Sequence, residues 1–214
     1  MNSKQHVSEL FDRCISCPDI DLKDRFDNLV GIDHQKDRLK KMLSTLVNPL
    51  GMRAWMEKFH PRANNIIETL LRRPPLIVLE GDVGSGKTEL AETIGDAVAR
   101  QERMSITLYP LSLSTRGQGR VGEMTQLISS AFDFTIEEAK KLKSLSGQIK
   151  GGIILLVDEA DALAQSREFN QMHHEDRAGV NSFIRGIDHM GNGRLPIAVI
   201  MCTNRLGSLD PAIK

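Results

Sequence analysis

Gly81-Asp82-Val83-Gly84-Ser85-Gly86-Lys87-Thr88 reads G-x-x-x-x-G-K-T, and it follows a short apolar run, Leu76-Ile77-Val78-Leu79. Strand, glycine loop, then helix is the order that a phosphate-binding loop requires. Glycines let the backbone N–H groups turn inward around phosphate oxygens. Asp82, Val83, Gly84, Ser85 and Gly86 form that cradle. Lys87 brings a positive charge to the β and γ phosphates, and Thr88 brings a hydroxyl to Mg2+. The helix from Glu89 onward aims its positive end at the same phosphates. The plainer reading is a glycine turn with a chance lysine. The complete pattern in its strand–helix context outweighs it.

Ile153-Ile154-Leu155-Leu156-Val157 is a second apolar run, and it ends in Asp158-Glu159-Ala160-Asp161. Apolar residues without alternation suit a strand buried on both faces of a parallel sheet. Carboxylates at the tip of such a strand lie at the mouth where ligands bind in open α/β sheets. Asp158 then holds Mg2+ through water, and Glu159 orients and deprotonates the attacking water. The competing reading is an acidic helix N-cap after a core strand, a role that suits Asp161. A third strand, Ile197 to Cys202, ends in Thr203-Asn204. An uncharged polar side chain there suits a hydrogen bond to the γ-phosphate or to water, although Asn is also common where strands end.

Together these residues resemble the AAA+ ATPases. Gly81 to Thr88 matches their Walker A loop, Ile153 to Asp161 their Walker B strand, and Thr203-Asn204 their sensor 1. Upstream, Phe26-Asp27-Asn28-Leu29-Val30-Gly31 is similar to the segment whose Val-Gly backbone sits against adenine in that family. The resemblance implies ATP and Mg2+ as ligands, with Lys87, Glu159 and Asn204 catalytic and Thr88 and Asp158 at the metal. It implies Val30, Gly31 and Asp82 to Glu89 around the nucleotide. It also implies a P-loop NTPase fold: a doubly wound parallel α/β sheet with helices on both faces.

Length and charge agree. A chain of 214 residues can bury one substantial core plus a short arm. Lys+Arg and Asp+Glu are balanced at 28 each, so no global basic field argues for nucleic acid. No apolar run reaches the roughly 18–20 residues that span a bilayer, and the first residues have no secretory apolar core. A cytoplasmic protein is expected. Cys14 and Cys17 form one C-x-x-C, but no second pair completes a zinc site, and Cys202 sits within an apolar strand.

The expected organisation is an N-terminal arm over 1–25, helical from His6 to Arg13, and a nucleotide-binding domain over 26–214. Helices are expected at Gln35–Val47 with Asp33 as N-cap, Met52–Phe59, Asn64–Arg72, from the phosphate loop to Gln101, Met124–Phe132, Ile136–Leu145 and Ala178–Asp188. Ile106–Tyr109 is expected as a short strand. Alternating helices and apolar strands indicate the doubly wound sheet.

The sequence ends Leu209-Asp210-Pro211-Ala212-Ile213-Lys214. In AAA+ proteins that it resembles, this segment leads into arginines that reach the neighbouring subunit's γ-phosphate, then a fifth strand and a helical lid. None of the three is expected within these 214 residues. Such an arginine raises phosphoryl transfer by about 10³–10⁵, so weak hydrolysis is expected from this chain alone.

Leu111 to Glu123 resembles the central pore loop of ring-shaped remodellers through Val121-Gly122-Glu123. Those carry an aromatic residue just before V-G-E, whereas here the position is Arg120, with Arg116 nearby. Two arginines suit an acidic peptide or nucleic acid phosphates; a solvated glycine loop is the bland alternative. Val180 to Asp188 resembles the V-N-x-x-L-x-x-I-D helix of AAA remodellers, and Arg167 matches a position often basic in them. It is also similar to ATPases that unfold HORMA-domain proteins, including relatives in bacterial antiphage operons. His173-His174 invites a metal reading, but adjacent residues on a helix point apart.

The leading expectation is an ATP-driven remodeller working as a ring homo-oligomer, a hexamer, which grips a protein substrate with residues Arg116 to Glu123. The alternatives are a nucleic-acid-linked ATPase of the initiator or clamp-loader type, and a non-hydrolysing nucleotide-gated scaffold. No membrane partner is expected.

Overall fold

The computed structural model describes residues 10–62, 64–113, 123–143, 149–160, 174–192, 195–204 and 207. In chain order the elements are β1 (Ile15–Cys17), α1 (Ile20–Asp27), α2 (Asp33–Val47), α3 (Pro49–Phe59), α4 (Asn64–Leu71), β2 (Leu76–Glu80) and α5 (Lys87–Glu102). They continue with β3 (Ser105–Ser112), α6 (Glu123–Lys141), β4 (Gly151–Asp158), α7 (His174–Asn192) and β5 (Ile197–Thr203). The strands form one sheet in the order β1-β3-β4-β5-β2. Only β1 runs antiparallel; the pairs β3–β4, β4–β5 and β5–β2 are parallel.

Alternation along the strands splits the core into two halves. Tyr109, Leu111, Ile153, Leu155, Val157 and Val199 face one side, where α6 and α7 cover them with Ile128, Phe132, Phe183 and Ile187. Ile106, Leu108, Ile154, Leu156, Ala198 and Ile200 face the other, under Leu39, Leu43 and Val47 of α2 and Leu90, Ile94 and Val98 of α5. Both sides of β4 are therefore dry, which is why its sequence is an unbroken apolar run. The expected α/β sheet with helices on both faces is what the chain adopts.

Several local expectations are corrected. Arg13 is not helical: Asp12 N donates to Pro110 O at 3.1 Å, and Ile15–Cys17 then pairs with Leu108–Ile106. Phe11 is fully buried against Tyr109 and Phe134, with ring centroids 5.0 and 5.4 Å away. A three-residue strand is too short to show a period, so tertiary pairing decides it. Residues 6–9 lie outside the described residues. Asp33 is not the N-cap of α2; Ile32 takes that position without a side-chain cap, and Asp33 lies in the first turn, where a carboxylate favours the positive helix end.

α3 begins at Pro49, three residues before the expected start, because Asn48 Oδ1 accepts from Gly51 N at 2.9 Å and Pro49 sits in the first turn. β3 runs to Ser112, past the expected end at Tyr109. The two helices expected over 124–132 and 136–145 are one helix, α6. Within the stretch between them, Thr135 is buried with its hydroxyl donating to Ala131 O and Phe132 O, both at 2.9 Å.

Close approach of α2 to β4 depends on Gly152. A Cβ at that position would lie 2.8 Å from Val47 Cβ and 2.9 Å from Ile106 Cδ1. Gly152→Ala is expected to lower stability by about 1–3 kcal/mol through overpacking. Urea denaturation followed by circular dichroism measures it, and an unchanged midpoint would contradict this account.

Candidate nucleotide site

Three neighbouring strands end together at the carboxyl edge of the sheet. β4, β5 and β2 are adjacent in that order, about 4.8 Å apart from strand to strand. Their tips carry Asp158-Glu159, Thr203-Asn204 and the glycine loop that starts at Gly81. Glu80 pairs with Thr203 and Val157 with Met201, so the registers align the tips.

Backbone conformation in the loop explains its glycines. Gly84 and Gly86 have φ of 79° and 86°, a region that side-chain-bearing residues rarely occupy. Gly86 is the N-cap of α5, so the free N–H groups of the helix's first turn open onto the loop. Lys87 folds back over this cradle. Its Nζ donates to Gly81 O and Asp82 O, both at 2.8 Å, and to Ser85 Oγ at 3.4 Å. Asp82, Val83, Gly84, Ser85 and Thr88 are exposed, so the loop's inner surface is open to a ligand.

At the tip of β4, Glu159 has a φ of 53°, and its backbone N donates to Asp158 Oδ1 at 2.8 Å. That bond orients the Asp158 carboxylate while Glu159 stays exposed. Asn204 is also exposed, directly after the buried Thr203. One step back along β5 lies Cys202, whose thiol pKa is pushed up to about 12. Burial is the main cause; the Asp158 carboxylate adds to it and Lys87 opposes it.

A half-open cavity of about 480 Å³ adjoins the loop. Gly81, Ser85, Gly86 and Lys87 line its polar end, and Ile32, Leu39, Met42 and Leu90 its apolar end, with Gln35 and Arg38 among the lining. This combination of backbone donors, one ammonium and an apolar extension fits a nucleoside phosphate. Among the described residues no cluster of three His, Cys, Asp or Glu could hold a metal. Mg2+ in phosphate-loop sites takes one or two protein ligands and leaves the rest to phosphate and water, and Thr88 with Asp158 fits that role.

The expected residues Asp82 to Thr88, Asp158, Glu159 and Asn204 are thus brought to one edge. Gly31 has a φ of 81° and Ile32 beside it reaches the cavity, but Val30 is 85% exposed. The Glu89 carboxylate is occupied by Arg25, whose Nε and Nη2 each donate at 2.7 Å. Arg25 Nη2 also reaches Glu92 at 3.0 Å, and Arg13 pairs with Glu92. The pairing with Arg25 holds Glu89 below the usual carboxylate range. Sequence reasoning missed Arg25, Arg13 and Glu92. The available signal was the acidic stripe Glu89, Glu92, Asp96 along one side of the loop helix. The expected pore loop at 116–122, Asp161, Arg167 and His173 lie outside the described residues.

The fold and site define a P-loop nucleotide-binding protein. Residues 77–214 match the ATPase family associated with various cellular activities (AAA), and the chain belongs to it. Over its whole length it is 66% identical to CD-NTase-associated protein 6 of Escherichia coli (strain MS 115-1), covering 69% of that protein. A chain of the E. coli MS115-1 HORMA:CdnC:Trip13 complex superposes with a TM-score of 0.89 at 65% identity, with 97% of this chain and 68% of that one covered. Rhizobiales Trip13 gives a TM-score of 0.74 at 54% identity, with 95% and 66% covered. The chain therefore spans about two thirds of the length of these relatives.

Two measurements probe this geometry. Lys87→Ala is expected to weaken binding of a fluorescent ATP analogue about 10- to 100-fold, with the circular dichroism spectrum unchanged. Equal affinity in the variant would remove Lys87 from the site. With pKa values of about 12, Cys17 and Cys202 carry roughly one thiolate in ten thousand at pH 8. Iodoacetamide is expected to leave both unmodified in the native protein and to label them after denaturation; rapid native labelling of Cys202, read by mass spectrometry, would contradict the buried placement.

Proposed function

We propose that the chain carries the ATP-hydrolysing site of a ring-forming motor that remodels a HORMA-domain protein. The observation that carries this reading is 65% identity over nearly the whole chain to a protein solved with HORMA and CdnC partners. The site chemistry supports the ATPase half. Lys87, already held over the loop mouth by two carbonyls, meets the β and γ phosphates with little rearrangement. Thr88 and Asp158 hold Mg2+, which when bound neutralises phosphate charge. Glu159 positions and deprotonates water, and Asn204 orients the γ-phosphate or that water. Val30, Gly31 and Asp82 to Glu89 surround the rest of the nucleotide. A neighbouring subunit completes each site in a hexameric ring, and residues 116–123 grip the protein substrate in the cytoplasm.

A Glu159→Gln change in the full-length native protein tests both halves. Loss of the base is expected to slow hydrolysis by about 10²–10⁴-fold with ATP binding retained. The cognate HORMA-domain protein is then expected to co-purify only with ATP and magnesium. Recovery of DNA or RNA instead, released by salt, would replace this reading with the nucleic-acid-linked one. Undiminished hydrolysis would remove Glu159 from catalysis.

A further inference from the structure

α1 docks lengthwise on the phosphate-loop helix. Its first turn is fixed by a buried carboxylate: Asp96, 1% exposed, accepts from Asp19 N and from Arg100 Nε, both at 2.8 Å. Its last turn is tied to that helix by Arg25, through the Glu89 and Glu92 bonds described above, beside Phe26, which packs on the core. Arg25 stands at a junction. On one side, Glu89 follows Thr88 directly in the chain. On the other, five residues lie between Arg25 and Gly31, and Leu29 among them approaches the loop. Leu29 Cδ2 comes within 3.7 Å of where a Cβ on Gly86 would be, and Phe26 carries the Lys36 ammonium 4.5 Å above its ring. Ile32 then enters the cavity wall.

We infer that Arg25 is a positioning residue for the nucleoside half of ATP: by tying α1 to Glu89 and Glu92 it sets where the 29–32 segment lies over the phosphate loop. The inference rests on the ATP reading of the site. Arg25 meets the loop helix at Glu89 and Glu92 and leads into the 29–32 segment, so a ligand without a nucleoside separates an effect through the segment from one through the phosphate loop. A planar guanidinium shared between two carboxylates defines a geometry that a lysine ammonium does not reproduce. The Asp96 anchor is independent of Arg25, so α1 stays attached at its start when Arg25 is replaced.

The experiment compares affinities for ATP and for inorganic tripolyphosphate, which has the phosphates and no nucleoside. In the full-length protein, Arg25→Ala is expected to weaken ATP about five- to tenfold. Tripolyphosphate affinity and the rate at saturating ATP are expected to stay within about twofold. Arg25→Lys should behave like Arg25→Ala, and Arg25→Glu should be weaker still. Equal loss for both ligands would overturn the inference, because Arg25 would then act on the phosphate loop as a whole. A lowered melting temperature with ATP affinity unchanged would overturn it too, leaving Arg25 a structural tie. Failure of the wild-type protein to bind ATP while it binds tripolyphosphate would instead remove the nucleotide reading, and this inference with it.

Discussion

Burial of β4 on both faces is the constraint from which the rest of the architecture follows. Every residue from Gly151 to Val157 is buried. Its backbone groups must then be satisfied by neighbours on both edges, and β3 and β5 supply them. Parallel neighbours require long crossovers, which are helices here, and those helices are what dry the two faces. All the strand-to-helix loops after β2 and β4 consequently emerge at one edge. The glycine loop, Asp158-Glu159 and Asn204 converge there because the sheet is parallel, although they are separated in sequence by up to 123 residues from Gly81 to Asn204.

Electrostatic order is built on that scaffold by short-range contacts. The loop's own carbonyls hold the Lys87 ammonium, so its charge is aimed before a ligand arrives and little reorganisation is needed. Asp158 and Lys87 act in opposite directions on Cys202, which places that thiol within the field of both. The helix bearing the loop is in turn steadied from outside. Its acidic stripe takes Arg13, Arg25, Arg100 and the Asp19 N–H. Exposed ion pairs are worth little singly. A chain of them along one helix, ended by the buried Asp96, fixes a direction.

Legibility in the sequence followed the size of the physical signal. The glycine loop and the two-sided strand are long, local patterns with one structural solution each, and both were readable. β1 was not, since its three residues acquire their conformation only from β3, and Phe11 from an aromatic pocket formed by Tyr109 and Phe134. The continuity of α6 was missed, since 124–132 and 136–145 read as two helices; the partners that the Thr135 hydroxyl finds within the helix are a property of the fold. The Arg25 bridge joins residues 64 positions apart. Glu89 could be assigned to the site from its place after Thr88, but its carboxylate's partner is a property of the fold.

Glu159 carries the strongest local sign of function. A left-handed backbone at a residue with a long side chain costs on the order of 1–2 kcal/mol, and only a surrounding structure that fixes the geometry sustains it. The surroundings here do so. The preceding eight residues of β4 are locked in the sheet, Ala160 is fully buried just beyond, and the Glu159 N–H is engaged by Asp158. A glycine would adopt the same backbone at no steric cost and would lose the carboxylate. Folding alone therefore does not call for a glutamate at this conformation. It is explained if the carboxylate must stand at the mouth of the loop, one residue beyond Asp158 and across β5 from Lys87.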